Sequence, residues 1–234
     1  MLSAIVGMAG GITLLSVMLL ALEPLVAIPL HGVVQLVSNS SRAVIQREHL
    51  RWDLIGPFCV LLLPMGFVGL AIVQSLPAAA LRTLIGVFVL LATWFPKLLL
   101  FGAHPERMKQ GRRFLTLGAV AGTLNVTIGA TGPLIAPFFL ELGLTRFALI
   151  GTKAACQTLG HLAKLIVFGV AGFAFIDYWE VLVLLAAMVV LGTYLGSKLL
   201  EHVTEKIFVW LYRTVLTLIA LRLSVYGGIE WLGL

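Results

Sequence analysis

Two sets of four polar residues, each with the same spacing, are the side chains of this sequence best suited to chemistry. The sets are His31, Gln35, Asn39 and Arg42 in the first half of the chain and Lys153, Gln157, His161 and Lys164 in the second. Steps of four, four and three residues place each set on one face of a helix. Because these side chains donate hydrogen bonds or carry positive charge, the two faces are suited to hold a negatively charged group.

Several of the cationic candidates fall inside apolar segments, where a charge is costly unless it faces a cavity or the inside of a helix bundle. Lys153 is deep in its segment and is predicted to act in binding. Arg42 and Lys164 lie close enough to segment ends that their charges could instead extend to the membrane interface. Arg213, near the middle of the last apolar segment, is a further candidate for the same anion site.

A second candidate for anion binding is the stretch "VTIGATGPLIAPFF", Val126 to Phe139, which has two glycines and two prolines inside an apolar segment. Such a composition interrupts a helix, and a bilayer tolerates unwound backbone only where protein or a watery cavity supplies hydrogen-bond partners. A helix that restarts at Gly132 and Pro133, just after Thr131, would direct free N–H groups and a positive dipole end at the break. The break is therefore a predicted anion site, with close helix packing by glycine as the alternative.

The segments that must position these residues belong in a membrane. Of the 234 residues, 60% are hydrophobic and 11% are charged, and the mean hydropathy is +1.08, which excludes an ordinary soluble domain. The net charge of +6 is attributed to cytoplasmic loops, where Lys and Arg collect, and not to nucleic-acid binding. A helix needs roughly 20 residues to cross a bilayer, and apolar stretches of about this length recur along the chain. They are Met1–Leu22, Leu25–Ile45, Leu54–Leu76, Ala79–Phe101, Phe114–Leu142, Phe147–Gly169, Tyr178–Leu200 and Ile207–Val225.

The chain matches itself at an offset of 122 residues. "GMAGGITLL" aligns with "GATGPLIAP", and the two polar sets fall on each other. By this alignment Gly10 and Gly11 are the counterparts of Gly132 and Pro133, so a second helix N-terminus is expected there. Duplicated halves are the common build of secondary transporters. The predicted domains are a first transmembrane repeat, 1–101, a basic cytoplasmic linker, 102–113, and a second transmembrane repeat, 114–234.

The distribution of Lys and Arg tests how the two halves are oriented. If each broken segment crossed the membrane, basic residues outside the spans would divide eight to four between the two sides; if it re-entered as a hairpin, they would divide ten to two. The positive-inside rule thus favours inverted halves. The predicted fold is an all-α polytopic membrane protein with two tandem, inverted repeats, each with a Gly-rich broken or re-entrant helix plus three transmembrane helices.

The scarcity of carboxylates inside the apolar segments predicts the charge of the transported substrate. Glu141, Asp177 and Glu180 lie at segment ends, whereas a cation carrier would be expected to have acidic residues deep in the membrane. The cationic stripes therefore predict a small anionic substrate.

The same residues resemble the sulfite exporter TauE/SafE family, also called the 4-toluene sulfonate uptake permease family. The likeness lies in the Gly-rich turns followed by a proline-bearing helix, "GMAGGITLL" and "GATGPLIAPFFLELGLTRFALIGTKAACQ", and it covers nearly the whole chain. It implies a transporter of sulfite, sulfonates or related sulfur anions. From the two repeats we expect the anion to bind near the membrane midplane between them, at the helix N-termini, and rocking of one half against the other to expose it to each face in turn. "ALIGTK", Ala148 to Lys153, is similar to the small-x-x-Gly-Thr stretch of that family.

The first half departs from this pattern. It has no counterpart of Pro137, and "AIPLHG", Ala27 to Gly32, replaces the Gly-Thr stretch. Met1 aligns with Thr123, so the arm equivalent to Phe114–Gly122 has no counterpart in this sequence: either the start codon was placed too far downstream or the first hairpin is incomplete.

Two other classes of function are alternatives to transport. An intramembrane enzyme would need paired catalytic groups, which do not occur at suitable spacing in the spans. A haem-binding or other redox membrane subunit could use His31 and His161 as axial ligands, although both could simply be interior histidines.

The expected partners are a small anionic substrate and the lipid bilayer, with no nucleic acid and no cofactor. A coupling ion, either proton or sodium, and a homodimer are left open. The expected location is the inner membrane of a bacterial or archaeal cell, with multiple passes.

Overall fold

The computed structural model describes residues 2–100, 104–139, 142–188 and 205–233. Every regular element in these ranges is a helix, as predicted, and no strand occurs in them. The helices are α1 (Leu2–Met18), α2 (Pro24–Ile45), α3 (Trp52–Ser75), α4 (Ala78–Trp94), α5 (Gln110–Thr127), α6 (Gly132–Phe139), α7 (Arg146–Val170), α8 (Phe175–Met188, as far as it is described) and α9 (Glu205–Leu232).

Helix length and composition agree with a membrane protein. Two described helices are long and apolar enough to cross a bilayer, α3 and the part of α9 from Val209 to Leu232. Helices α7 and α8 pass the same test together but are bent by 116° at the break between them, and α4 is a shorter apolar helix. The chain is therefore an integral membrane protein.

Local sequence signals explain where several helices begin. α2 starts at Pro24, a residue suited to a first helical turn. α7 starts after Thr145, whose Oγ1 accepts a hydrogen bond from the Ala148 N–H at 3.3 Å. α5 ends before Gly129, whose φ of 84° is a conformation that favours glycine.

Helices α3 and α5 pack closely and run in the same direction. A Cβ added at Gly118 would collide with the backbone of Phe58, and one at Gly122 with the backbone of Leu62. Glycines four residues apart let membrane helices approach closely, and Gly118 and Gly122 serve this purpose here. Gly192 and Gly196, which have the same spacing, lie outside the described residues.

The broken segment forms a hairpin. The Nη2 of Arg113, in the first turn of α5, donates to the carbonyl oxygen of Pro137 near the end of α6 at 3.1 Å. The rings of Phe114 and Phe139 lie 5.0 Å apart in an edge-on contact. Because the start of α5 contacts the end of α6, the chain returns along α5 after the break.

Helices α2 and α7 are antiparallel. A Cβ on Gly32, in the first half of α2, would meet Leu165 near the end of α7, whereas one on Gly151, near the start of α7, would meet Gln46 just after α2. Each of these two helices therefore presents its polar residues to the other in reverse order.

Helices α4 and α9 are antiparallel as well. Gly86 of α4 lies against Ser224 of α9, and Gly227, further along α9, lies against Thr83, earlier in α4. The contacts thus run in opposite directions along the two helices.

One prediction in the first half is wrong. α1 is continuous through Gly10 and Gly11, so no helix begins at that pair. Glycine inside a helix costs about 1 kcal/mol relative to alanine but does not by itself interrupt the chain. The second half breaks because a glycine with positive φ is followed by a proline, and the first half lacks that combination.

Candidate functional site

A small cavity lies where the two halves of the chain meet. Its volume is about 20 Å³, and each half contributes five lining residues: Gly11, Ile12, His31, Gln35 and Asn39 from the first, and Ala130, Thr131, Gly132, Gln157 and His161 from the second. Eight of the residues predicted to bind an anion are therefore brought together at this cavity: Gly11, His31, Gln35, Asn39, Thr131, Gly132, Gln157 and His161.

The antiparallel contact of α2 and α7 sets the order of the polar residues around this cavity. His31 lies against His161, with ring centroids 5.8 Å apart and planes at 77°. Both rings are buried, and Gln35 and Gln157 line the same cavity. The amide of Asn39 donates to the carbonyl oxygen of Gln35 at 2.9 Å, so its Nδ2 is engaged within α2.

Helix α1 forms one wall of the cavity. The Nε2 of His31 lies 2.9 Å from the carbonyl oxygen of Gly11, and because a carbonyl only accepts, Nε2 carries the hydrogen and donates. A Cβ on Gly11 would lie 2.6 Å from the Nε2 of Gln35, so a larger residue would displace that side chain. Gly11 thus serves close approach of α1 to α2 and not helix initiation.

The start of α6 forms the opposite wall. Thr131 precedes Gly132, the first residue of α6, and both line the cavity. The Thr131 carbonyl oxygen accepts from the N–H groups of Leu134 at 3.0 Å and Ile135 at 3.1 Å, which fixes the first turn. Pro133 is the second residue of α6, as the sequence predicts. The N-terminal end of this helix is directed at the cavity, where its dipole favours negative charge.

Lys164 lies behind the break and not in the cavity lining. It is fully buried, and its Nζ donates to the carbonyl oxygen of Gly129 at 2.8 Å. Gly129 belongs to the unwound turn between α5 and α6, where a carbonyl lacks its helical partner. A cation at the C-terminal end of α5 is also favoured by the helix dipole. Its position indicates that Lys164 holds the turn.

Lys153 and Arg42 lie further along the same α2–α7 contact. Lys153 is 8% exposed and within electrostatic range of Arg42. The Nη2 of Arg42 donates to Ser38 Oγ at 2.9 Å. Neither cation lines the cavity, so the structure places them as a pair between the cavity and the end of α2.

Comparison with known proteins decides the family. The family model described as "Sulfite exporter TauE/SafE" matches residues 1–223. The chain belongs to the TauE/SafE family. Members of this family are exporter-type transporters of sulfite and related sulfur anions, and not enzymes. No curated protein and no solved structure matches the chain.

Two further residues predicted for the anion site, Arg213 and Gly10, also lie outside the cavity of this TauE/SafE protein. Arg213 stacks its guanidinium over the Trp94 ring, 5.3 Å from the centroid, and lines a separate cleft of about 430 Å³ between α4 and α9. Gly10 is exposed, with nothing within 4 Å of an added Cβ. Position along the sequence could not show that Arg213 lies on a helix away from the α2–α7 contact.

Two polar residues near the site were missed by the sequence analysis. Asn125, in the last turn of α5, is buried, and its Nδ2 would lie 3.1 Å from a Cβ on Gly160 of α7. Arg113 was assigned to the basic linker, yet α5 begins at Gln110 and the Arg113 side chain is buried against α6. Asn125 could have been found as a polar residue inside an apolar span, one turn before the break.

The site residues of the TauE/SafE protein do not fit the redox alternative. A porphyrin between two axial histidines is far larger than a cavity of about 20 Å³. The His31 Nε2, one of the two nitrogens that could bind iron, is engaged by Gly11. Among the described side chains, no group of three or more His, Cys, Asp or Glu residues could hold a metal ion.

Proposed function

We propose that this TauE/SafE protein is a secondary transporter of sulfur-containing anions, such as sulfite or sulfonates, which bind between two inverted repeats. The observation that carries the proposal is the cavity to which both halves contribute equally, lined by polar side chains of α2 and α7 and by the first turn of α6. A site at the contact of two repeats, beside a broken helix, is the arrangement expected of such carriers.

The helix directions support inverted repeats. At the 122-residue offset α2 corresponds to α7, and α4 overlaps α9. Both of these pairs are antiparallel, as the contacts of Gly32, Gly151, Gly86 and Gly227 require. Two halves with the same orientation in a membrane would place equivalent helices parallel. The α5–α6 hairpin further supports the re-entrant form of the broken segment.

The chemistry of the lining supports an anion. Amide groups of Gln35 and Gln157, the Thr131 hydroxyl and the His161 imidazole can donate hydrogen bonds, and among the described residues no Asp or Glu lines the cavity. Lys164 adds a buried positive charge behind the break. Sulfur oxyanions present several acceptor oxygens, which match these donors.

The cavity must enlarge before an anion can enter. About 20 Å³ is close to the space of one water molecule, whereas sulfite has four heavy atoms. At one end of the bundle Arg82 joins three helices by ion pairs, to Glu23 at 2.6 Å and to Glu230 at 3.2 Å. Separation of these pairs would open that end, while the opposite end remains closed by the α2–α7 contact.

The two ends of the molecule differ in charge, and this difference supports a role for Arg42 and Lys153 in attracting the anion. The end at which α3, α5, α7 and α9 begin has most of the basic residues outside the spans: Arg47, Arg51, Lys97, Arg107, Lys109, Arg112, Arg146 and Lys206. By the positive-inside rule this end faces the cytoplasm. Arg42 and Lys153 lie between this end and the cavity, where they would attract the anion along the α2–α7 contact.

Thermal stabilisation by ligands tests the proposal, because a ligand that binds only the folded protein raises its Tm. Purified protein is heated with sulfite, thiosulfate, methanesulfonate and taurine, and with sodium chloride at matched ionic strength. At least one sulfur anion is expected to raise the Tm, with about 2.7 kcal/mol of stabilisation at 100 times its Kd. Equal Tm values for all of these anions and chloride would refute sulfur-anion binding.

A matched pair of variants locates the binding site. Gln157→Ala removes a cavity amide and is expected to weaken the stabilisation, whereas Gln74→Ala removes an exposed amide of α3 and should leave it unchanged. Equal effects of the two substitutions would place the site elsewhere.

A further inference from the structure

His31 and His161 are a pair of contacting titratable rings, one from each half of the chain. Their centroids are 5.8 Å apart, and their exposures are 1% and 5%. Imidazole is the side chain whose charge changes most readily near neutral pH. The pair lines the cavity at which α1, α2, α6 and α7 meet, so both rings would face a bound anion.

Each ring has a nitrogen whose hydrogen-bonding capacity is unused. The Nε2–H of His31 donates to the Gly11 carbonyl oxygen, so the Nδ1 of the neutral ring is an acceptor. The Nδ1 atoms of His31 and His161 are buried and make no hydrogen bond within the described part of the chain, although the Gly129 carbonyl also lies near the His31 ring. A buried polar atom without a partner costs free energy, so this arrangement is suited to take up a proton together with a group that accepts from it.

The charged surroundings of the pair are positive. Among the described residues, Lys164 of α7 is a charged side chain within electrostatic range of both rings. In the described ranges, the elements packed against the pair add uncharged groups at the cavity: Gly11 and Ile12 from α1, Gln35 from α2, and Thr131 and Gly132 at the start of α6. The acidic residues in the described ranges lie at helix ends or in connections between helices. A bound anion would therefore be the group that balances an imidazolium here.

Sodium is a poor fit for the same site. In broken-helix transporters unwound backbone carbonyls coordinate the sodium ion. Here the Gly129 carbonyl of the unwound turn accepts from the Lys164 ammonium at 2.8 Å. A sodium ion at that carbonyl would stand next to an existing positive charge.

We propose that the His31–His161 pair is the binding site of the coupling proton in this transporter, an inference that rests on the proposed anion transport. One proton from water at one face binds an imidazole nitrogen of the pair and is donated in a hydrogen bond to the anion. Both ligands leave at the opposite face, so one proton moves with each anion. Proton and anion each strengthen the binding of the other, because coupling between two sites is reciprocal.

The pH dependence of anion binding tests this site. The probe is methanesulfonate, or thiosulfate if that anion gives the larger thermal stabilisation, because the charge of neither changes around neutral pH. For the native chain, Kd is expected to rise about tenfold per pH unit on the alkaline side of the pair's titration, the slope of one linked proton.

The variants separate loss of the proton site from loss of affinity. The double variant His31→Gln/His161→Gln keeps amide groups but cannot titrate, and its Kd should vary less than about twofold over two pH units. Gln157→Ala should weaken binding but keep the native slope, and His49→Gln, at an exposed histidine, should change neither. A double variant that keeps the native slope would overturn the proposal.

Native protein in liposomes gives a second test that needs no variant. With the membrane potential clamped, an acid exterior is expected to drive uptake of the probe anion above its equilibrium level. Uptake that ignores the pH gradient would overturn the proton site while leaving anion transport intact. Absence of binding and uptake for every sulfur anion would instead overturn both proposals.

Discussion

Single residues around the break show how this chain satisfies unwound backbone inside a membrane protein. The turn between α5 and α6 leaves carbonyl groups without helical partners, and Lys164 donates to one of them, that of Gly129. Gly129 itself has a φ of 84°, and a Cβ there would lie 2.8 Å from Leu15 Cδ2. A lysine that looked like a substrate ligand by its spacing is thereby explained by backbone hydrogen bonding.

Lys164→Met tests this role. The change leaves the Gly129 carbonyl without its donor, so the free energy of unfolding is expected to fall by about 1–3 kcal/mol. Lys164→Gln keeps an amide donor and should lose less, and Lys206→Met, at an exposed lysine, should lose nothing measurable. The measurement is thermal unfolding in detergent. A Lys164→Met variant as stable as the native chain would contradict the role of Lys164 in holding the turn.

At the scale of helices, the close contact of α3 with α5 positions the α5–α6 segment that contains the break. Gly118 and Gly122 let the two backbones approach closely, and the start of α5 then contacts the end of α6 through Arg113. Small residues are used in this way in membrane proteins, because packing and not water exclusion brings helices together there.

Gly122→Ala is expected to separate α3 from α5, because the new methyl group would meet the Leu62 carbonyl and not a flexible side chain. Overpacking of this kind costs typically 1–3 kcal/mol. Gly111→Ala in the same helix has nothing within 4 Å and is the matched control. Comparison of Tm values checks the difference, and equal values would show that the α3–α5 contact adapts without cost.

At the scale of the whole molecule, the antiparallel pairs α2–α7 and α4–α9 favour inverted halves. In that topology position 49 and position 206 face the same side of the membrane, and position 75 faces the other. If the halves were parallel, position 206 would instead share its side with position 75.

Single cysteines distinguish the two topologies. With Cys59 and Cys156 replaced by alanine, His49→Cys and Lys206→Cys are expected to react with an impermeant maleimide from one side, and Ser75→Cys from the other. Labelling of Lys206→Cys together with Ser75→Cys would contradict inverted repeats.

The sequence by itself determined the helical membrane class, the break before Gly132 and the two polar faces of α2 and α7. These features depend on composition and on local backbone preferences, which each segment has on its own. A proline after a glycine-rich turn interrupts a helix, and polar residues spaced by three or four positions lie on one helix face. The family resemblance was also readable from the Gly-rich turns, and the family match confirms it.

Only the tertiary structure decided which of the candidate residues line the same cavity. Arg213 and Lys164 are cations inside apolar segments like the other candidates, yet Arg213 lies against Trp94 and Lys164 against the Gly129 carbonyl. The contact of His31 with His161 joins residues that the 122-residue alignment does not pair, because antiparallel helices reverse the order of their faces. Which side chains converge depends on helix direction and packing, and no local pattern records either.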